Sequence, residues 1–179
     1  MPESSSQNTR SLVIIPVVKS AIYPITAASP NRITIVARPR GNDWLCDELR
    51  ALSHEGIDVL VSMLTDEEAN DLGLRSEPAE CRAAGIRFVN VAIPDRSVPP
   101  DQSDLLSTVQ QLAELVRSGR YRVHCRASIG PSSMHAASRL VRLGCDASKL
   151  FYAIESAGGC SVPATPEQKQ WVASNVHKG

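Results

Sequence analysis

The sequence predicts an α/β fold, with a central, mostly parallel sheet flanked by helices. Short apolar, β-branched segments at residues 57–64, 86–93 and 120–124 alternate with segments of helical periodicity, and this alternation is typical of a parallel sheet. Two polar residues that can carry chemistry, Asp95 and Cys125, each follow the end of a predicted strand. Ligands of open α/β sheets bind at the carboxyl ends of the strands, so we expect both residues at one edge of the sheet.

The first half of the chain is predicted to contain three strands and three helices. Thr65-Asp66-Glu67-Glu68 is a capping box, in which the Thr side chain and the Glu three residues later each bond to the other's backbone N–H. Gly56 and Gly85 end the helices before them, because glycine readily adopts the left-handed conformation of a helix C-terminus. In chain order we predict a strand over 31–38, a helix and then a strand over 57–64. The helix runs from a cap at Asn42 or Asp43 to about Glu55. Its apolar face is formed by Leu45, Leu49 and Leu52. A helix at the capping box, a helix over 78–84 and a strand over 86–93 follow.

The second half is predicted to contain one strand and four helices. Asp101 caps a helix that runs to Arg117 and stops at Gly119, with one apolar face formed by Leu105, Val109, Leu112 and Val116. A short strand over 120–124 then leads to Cys125. The remaining helices are predicted over 132–143, closed by Gly144, over 147–157, and after Thr165, where Pro166 and the capping-box residue Gln168 indicate a helix start.

Composition indicates one globular domain over residues 11–179, preceded by a polar tail over 1–10 that we predict to be disordered. Hydrophobic residues make up 42% and charged residues 21%, which are ordinary values for a globular protein with a core. The formal net charge is zero, which argues against a nucleic-acid partner held by bulk charge. The apolar run over 11–18 is too short and too interrupted for a membrane span or a signal peptide, so we predict no membrane association.

The five cysteines stand at irregular spacings, at 46, 81, 125, 145 and 160, and form no Cys-x-x-Cys pair. This pattern indicates reduced thiols in a cytoplasmic protein rather than a disulfide framework. Cys46, Cys81 and Cys145 lie in helical or turn patterns and are predicted to be buried packing residues. The sequence has no zinc-ligand spacing, and it predicts neither a metal nor an organic cofactor.

Residues 123–133, Val-His-Cys-Arg-Ala-Ser-Ile-Gly-Pro-Ser-Ser, place one cysteine where a strand ends and a helix begins. Backbone N–H groups at such a turn favour an anion, and the helix N-terminus adds positive potential. The same field favours the thiolate, which is the nucleophilic form of cysteine. The pattern therefore predicts an anion cradle with Cys125 at its floor.

This segment resembles the signature loop of the cysteine-dependent protein tyrosine and dual-specificity phosphatases. That loop reads His-Cys, five residues, Arg, and then Ser or Thr. His124, Cys125, Gly130 and Ser132 match the pattern. The resemblance implies a phosphatase-like α/β fold.

Two further segments are similar to parts of the same family. Ile-Pro-Asp-Arg-Ser-Val-Pro at 93–99 is similar to the mobile loop that carries the general acid, about thirty residues before the cysteine. A weaker match, Thr-Pro-Glu-Gln at 165–168, lies near the C-terminus. Together the matches span about residues 31–173, so the resemblance covers most of the chain.

The resemblance implies hydrolysis of a phosphomonoester through a phosphocysteine. Cys125 would be the nucleophile, Asp95 would protonate the leaving oxygen and later activate water, and the Ser132 hydroxyl would stabilise the departing thiolate. The phosphoryl oxygens would be held by the backbone amides of the loop, namely those of Arg126, Ala127, Ser128, Ile129 and Gly130. The implied partner is a phosphorylated protein or a small phosphoester.

Two positions depart from the family pattern. Pro131 stands where the pattern has the arginine that grips two phosphoryl oxygens, and Ser128 stands where it prefers glycine. Proline supplies neither a guanidinium nor a backbone N–H, and the loss of one well-placed donor costs about 10²–10³ in rate. Ser128 adds strain of about 1 kcal/mol if its position needs a positive φ. The sequence therefore predicts weak or absent phosphatase activity, unless Arg96 or Arg126 replaces the missing arginine.

Three functions remain open: an active or weakly active phosphatase that acts on phosphotyrosine or a small phosphoester, a non-catalytic pseudophosphatase that binds a phosphorylated or anionic partner, and a rhodanese-like sulfurtransferase. The loop of Asp95 disfavours the sulfurtransferase, because sulfur transfer needs no such acid.

Three side chains also have two interpretations each. His124 either hydrogen-bonds to the backbone or orients the loop and stabilises the thiolate. Ser132 either caps the next helix or acts on the thiol, and these two roles are compatible. Gln168 either closes a capping box or positions water. Neither the substrate nor the oligomeric state follows from the sequence.

Overall fold

The computed structural model describes residues 22–24, 33–115, 121–142, 151, 152, 155 and 161–176. Within these residues a five-stranded sheet has the order β1-β2-β5-β3-β4. The strands are β1 (Ile22–Pro24), β2 (Ile33–Val36), β3 (Val59–Ser62), β4 (Arg87–Asn90) and β5 (Tyr121–His124). Strands β2, β5, β3 and β4 run parallel, and β1 joins the edge of β2 in the antiparallel direction. The predicted mostly parallel sheet is confirmed.

The register of the sheet brings the ends of three strands together. Ser62 of β3 pairs with His124 of β5 on one side and with Asn90 of β4 on the other, so the last residues of these strands lie in one row. The Asn90 side chain donates to the carbonyl oxygens of Ser62 and Leu64. The chain segments that leave β4 and β5 therefore start from the same edge of the sheet.

The helices follow the predicted order along the chain. A 3₁₀ turn over Asn42–Trp44 precedes α1 (Leu45–His54), and the later helices are α2 (Asp66–Asp71), α3 (Glu77–Ala83), α4 (Gln102–Leu115), α5 (Pro131–Arg142) and α6 (Pro166–Asn175). Helices α2 and α6 begin with capping boxes at Thr65 and Thr165, as the sequence predicts.

Alternate residues of β3 pack into two different parts of the core. Val59 and Val61 pack with apolar residues of β5, α4 and α5, whereas Leu60 packs with Leu45 and Leu49 of α1. Successive side chains of a strand point to opposite faces, so β3 is buried on both sides, as expected for a strand inside a parallel sheet. Helix α5 belongs to the first part of the core, and its residues 131–141 are all buried.

One predicted helix start is wrong. Neither Asn42 nor Asp43 caps α1, because the 3₁₀ turn leads into the helix and Trp44 holds the N-cap position without a side-chain hydrogen bond. Asn42 instead has a φ of 54°, and its N–H donates to the carbonyl oxygen of Gly73. A contact with a distant part of the chain thus determines the conformation at this position.

Several predictions fall outside the described residues. These are the tail over 1–10, the apolar run over 11–18, Val116, the helix stops at 119 and 144, Cys145 and Cys160, and the side chain of Leu112. Of the helix predicted over 147–157, the described residues 151, 152 and 155 are helical. Cys81 is buried as predicted, whereas Cys46 is only half-buried. The described part of the chain contains no helix that is long and apolar enough to cross a membrane.

Candidate active site

A tight loop connects β5 to α5 at the carboxyl edge of the sheet. The strand ends at His124, Cys125 follows, residues 126–130 form consecutive bends, and α5 begins at Pro131. Within the described residues, the backbone N–H groups of 126–130 donate no hydrogen bond. A run of N–H groups without protein acceptors, next to a helix N-terminus, is an arrangement that binds anions. The loop therefore has the backbone that an anion cradle needs.

The thiol of Cys125 is buried beside a hydroxyl from α5. Cys125 is 1% exposed, and its Sγ lies 3.3 Å from Oγ of the fully buried Ser132. Ser132 is the second residue of α5, so the interpretation of Ser132 as the helix cap is wrong. Its hydroxyl is placed instead to donate to a thiolate at Cys125.

Two serine hydroxyls hold the loop in place. Ser128 has a φ of 60°, a left-handed conformation that strains every residue except glycine. Its Oγ donates to the carbonyl oxygen of Val36 at the end of β2, and this bond offsets part of the strain. The Ser133 hydroxyl is shared between the carbonyl oxygens of Ile129 and Gly130, which fastens the end of the loop to α5.

Pro131 is buried at the first position of α5. Proline is favoured there because its fixed φ suits a helix and its missing N–H would have no intrahelical acceptor. Gly130 before it tolerates the restriction that proline places on the preceding residue. The loop and helix therefore keep their shape, while position 131 offers a bound anion neither an N–H nor a guanidinium.

Asp95 lies in a turn that follows β4. Its N–H donates to Oε1 of Glu68 over 3.0 Å, and the N–H of Ser97 donates to the carbonyl oxygen of Pro94 over 3.0 Å. The other carboxylate oxygen of Glu68 accepts from the N–H of Thr65 and completes the capping box of α2. The Glu68 carboxylate thus joins the start of α2 to the backbone of Asp95. The capping-box pattern alone does not predict this second contact.

One buried side chain links the turn of Asp95 to the cradle. Gln168 of α6 is fully buried, its Oε1 accepts from the N–H of Thr165, and its Nε2 donates to the carbonyl oxygen of Ser97 over 2.7 Å. The same amide lies against Gly130, where an added Cβ would stand 3.0 Å from Nε2. The capping-box interpretation of Gln168 is confirmed. In addition, Gln168 connects the loop of the predicted acid to the end of the cradle.

His124 faces a carboxylate rather than the backbone. Its Nε2 lies 3.0 Å from Oε1 of Glu77, the first residue of α3, and both side chains are buried. Neither ring nitrogen of His124 has a hydrogen-bond partner within the described residues. The predicted hydrogen bond from His124 to the backbone is wrong. Glu77 escaped prediction because an acidic residue in a first helical turn is ordinarily explained by the helix dipole.

Arg96 and Arg126, the two candidates for the missing guanidinium, are both exposed. Arg96 has a φ of 62° and lies in the turn of Asp95. Within the described residues neither guanidinium takes part in an ion pair or hydrogen bond. Replacement of the missing arginine by either residue stays a prediction.

The strand, cysteine loop and helix correspond to a known family. Residues 36–145 match the family model described as a DSP-PTPase phosphatase of polymorphic toxin systems. The chain belongs to this family. The matched stretch runs from the end of β2 through α5, so it contains Asp95, the cradle and Pro131. A comparison with curated proteins finds no match.

Solved phosphatase structures share the fold at low sequence identity. Kinase associated phosphatase (KAP) has a TM-score of 0.70 and 16% identity, over 79% of this chain and 83% of KAP. Tk-PTP in its active form has a TM-score of 0.70 and 18% identity, over 87% of this chain and 95% of Tk-PTP. PTPMT1 in complex with PI(5)P has a TM-score of 0.65 and 20% identity, over 79% of this chain and 88% of PTPMT1. The phosphatase-like fold implied by the resemblance is therefore confirmed.

Proposed function

We propose that this chain binds a phosphorylated or otherwise anionic group in the loop over 125–132, and hydrolyses it slowly or not at all. Binding is supported by the N–H groups of 126–130, which have no acceptor within the described residues. It is supported also by the contact between the Cys125 thiol and the Ser132 hydroxyl at 3.3 Å. These are the groups that would surround an oxyanion at the start of a helix.

The observation that carries the proposal of slow turnover is Pro131, buried at the first position of α5. Catalysis of phosphoryl transfer consists mostly of positioning and charge stabilisation. A guanidinium contributes to both, because it grips two oxygens at once with charged donors. Since proline removes the guanidinium and an N–H together, we expect turnover to be lowered by more than the roughly 10²–10³ that one lost donor costs.

The expected ligand is a phosphorylated protein or a small phosphoester. PTPMT1, which shares the fold, is solved in complex with PI(5)P, and this supports a phosphorylated ligand as the class. The loop itself recognises only the anion, because backbone N–H groups contact phosphoryl oxygens and leave the rest of the ligand to the surrounding surface.

The test compares the natural chain with Pro131→Arg, alone and combined with Ser128→Gly. On an aryl phosphate we expect almost no turnover by the natural chain, and a gain in kcat/KM of about 100-fold or more with Pro131→Arg. Adding Cys125→Ser to the active variant should abolish the gain, which shows that the new activity runs through the cysteine. Orthovanadate should bind to the natural chain, as measured by calorimetry.

Vigorous turnover by the natural chain that Cys125→Ser removes would contradict the proposal. Arg96→Met and Arg126→Met would then show which guanidinium reaches the phosphate. Failure of the natural chain to bind orthovanadate would contradict the anion-binding part, even if turnover is absent.

A further inference from the structure

Four buried polar side chains lie on or beside the part of α5 that is farther from the cysteine loop. His135, Ser138 and Arg139 occupy positions i, i+3 and i+4 of the helix, so they share one of its faces. The ring of Tyr121, the first residue of β5, stands edge-on to the His135 ring. We call these four residues the rear cluster, and none of them is more than 5% exposed.

The polar atoms of the rear cluster have no protein partner in the part of the chain that the structure describes. Both ring nitrogens of His135, Oγ of Ser138, Nε of Arg139 and the Tyr121 hydroxyl are buried without a hydrogen bond. Nearly all buried polar groups of proteins are hydrogen-bonded, to the protein itself, to ordered water or to an ion. Four exceptions side by side indicate a bound group that accepts hydrogen bonds.

Arg139 gives the rear cluster a positive charge. A guanidinium stays protonated in proteins, and a buried charge is costly unless an opposite charge compensates for it. Among the described residues, Arg139 forms no ion pair. Nε of Arg142, three residues further along the same helix, is also buried without a partner there. The charge that is missing from the rear cluster is therefore a negative one.

The charge of Arg139 acts on the other members of the rear cluster. Burial, and then the charge of Arg139, lower the pKa of His135 to about 4. Burial raises the pKa of Tyr121, and the same charge offsets part of that rise. The guanidinium therefore lies close enough to both rings to share one ligand with them.

We propose that the rear cluster binds a small oxyanion of the class of inorganic phosphate or sulfate. The planar guanidinium of Arg139 can donate to two oxygens of such an ion, which leaves its other oxygens for the hydroxyls of Tyr121 and Ser138. A water molecule could accept some of these hydrogen bonds, but it would leave the charge uncompensated. The low exposure of all four residues favours a small ion over a side chain of a partner protein.

This site is separate from the cysteine loop. Arg139 follows Ser132 by seven residues of the same helix, which is about 10 Å along the helix axis. The inference concerns other side chains and needs no phosphatase activity, so it stands apart from the proposed function.

The first experiment is a titration of the natural chain with sodium phosphate at pH 7 and constant ionic strength, followed by ¹H–¹⁵N NMR. The buried Nε–H of Arg139 reports on the rear cluster, and the backbone N–H groups of 126–130 report on the cysteine loop in the same sample. Arg139→Lys lacks the Nε–H and so identifies its signal. We expect the Arg139 signal to shift along a saturating curve with phosphate, and much less with sodium chloride.

The second experiment compares variants by the phosphate-dependent shifts of the His135 ring. Arg139→Met should weaken binding about tenfold or more, because it removes the charged donor. Ser138→Ala removes an uncharged donor and should weaken binding about two- to tenfold. Arg82→Met, in the exposed last turn of α3, removes the same charge elsewhere and should leave binding unchanged.

Three results would overturn the inference. The first is an Arg139 signal that does not respond to phosphate, and the second is a response to chloride of the same size. The third is equal weakening by Arg139→Met and Arg82→Met, because the effect would then be one of general charge. The titration of the natural chain decides the matter by itself if Arg139→Met does not fold. Shifts confined to the amides of 126–130 contradict only this inference, and a saturating Arg139 shift with unaltered amides contradicts only the proposed function.

Discussion

The two halves of α5 bury polar side chains in opposite ways. In the front half, residues 131–134, Ser132 and Ser133 are fully buried, and each has a partner in the thiol or the carbonyl oxygens of the cysteine loop. In the rear half, residues 135–142, His135 and Ser138 are just as buried. Their ring nitrogens and hydroxyl, however, lack a hydrogen-bond partner among the described residues.

Two more polar groups belong to this rear cluster. Tyr121, at the start of β5, packs edge-on against the His135 ring with 6.0 Å between ring centroids. The Tyr121 hydroxyl and Nε of the buried Arg139 also lack partners within the described residues. An unsatisfied buried polar group costs about 1–3 kcal/mol. Buried polar groups at the front therefore have partners in the cysteine loop, whereas those at the rear have none among the described residues.

The largest expected effect is a loss of stability on acidification, which arises from His135 in the rear half of α5. Burial, and then the charge of Arg139, lower the pKa of His135 from 6.5 to about 4. Between these values the unfolded chain binds a proton that the folded chain does not. The contribution of His135 to the free energy of unfolding is therefore at its maximum above about pH 6.5. The free energy of unfolding falls by on the order of 3 kcal/mol as the pH drops to about 4.

Urea unfolding of the natural chain and of His135→Leu between pH 7.5 and pH 4.5 measures this effect. The leucine variant should lose this part of the pH dependence. His54→Gln, at the exposed end of α1, is the control and should retain it. Parallel pH dependences for the natural chain and His135→Leu would contradict the account of the rear half.

A matched pair of serines gives the next largest difference. Ser133→Ala removes the hydroxyl that binds the carbonyl oxygens of Ile129 and Gly130, so we expect a loss of about 1–2 kcal/mol in the free energy of unfolding. Ser138→Ala removes a buried hydroxyl without a partner in the described residues, and should leave stability unchanged or raise it by up to about 1 kcal/mol. Urea titrations at neutral pH distinguish the two, and equal losses would remove the contrast between the halves.

The sequence predicts those features whose partners are close along the chain. In the capping boxes at Thr65 and Thr165 both groups are three residues apart, and both boxes are confirmed. The helix ends at Gly56 and Gly85 depend on a single backbone conformation, and both glycines have a positive φ. The alternation of short apolar segments with helices was enough to predict the parallel sheet, because parallel neighbours need a crossover connection, which is usually a helix.

The contacts that assemble the site join residues that are far apart in sequence. Gln168 reaches the carbonyl oxygen of Ser97 across 71 positions, and Glu77 of α3 meets His124 at the end of β5. Periodicity and helix-start patterns give both residues a sufficient local explanation. The sequence therefore located the cysteine loop, but it could not show which buried side chains support it.

Substitution of Ser128, in the loop before α5, is expected to have the smallest net effect on stability. Ser128→Gly relieves the left-handed strain, about 1 kcal/mol, but it loses the bond to Val36, which contributes about 0.5–1.5 kcal/mol. We expect these two effects nearly to cancel in the free energy of unfolding. Ser128→Ala keeps the strain and loses the bond, so it should be about 1 kcal/mol less stable than the natural chain.

The difference between the glycine and alanine variants isolates the strain at position 128, because both lack the hydroxyl. Equal stability of the two would show that the loop relaxes once the bond to Val36 is gone, and that the hydroxyl itself enforces the φ of 60°. A more stable glycine variant would show that the loop imposes this conformation on whichever residue stands there. Suppose that adding Ser128→Gly to Pro131→Arg then raises turnover with little change in stability. That gain would arise from the backbone that faces the anion.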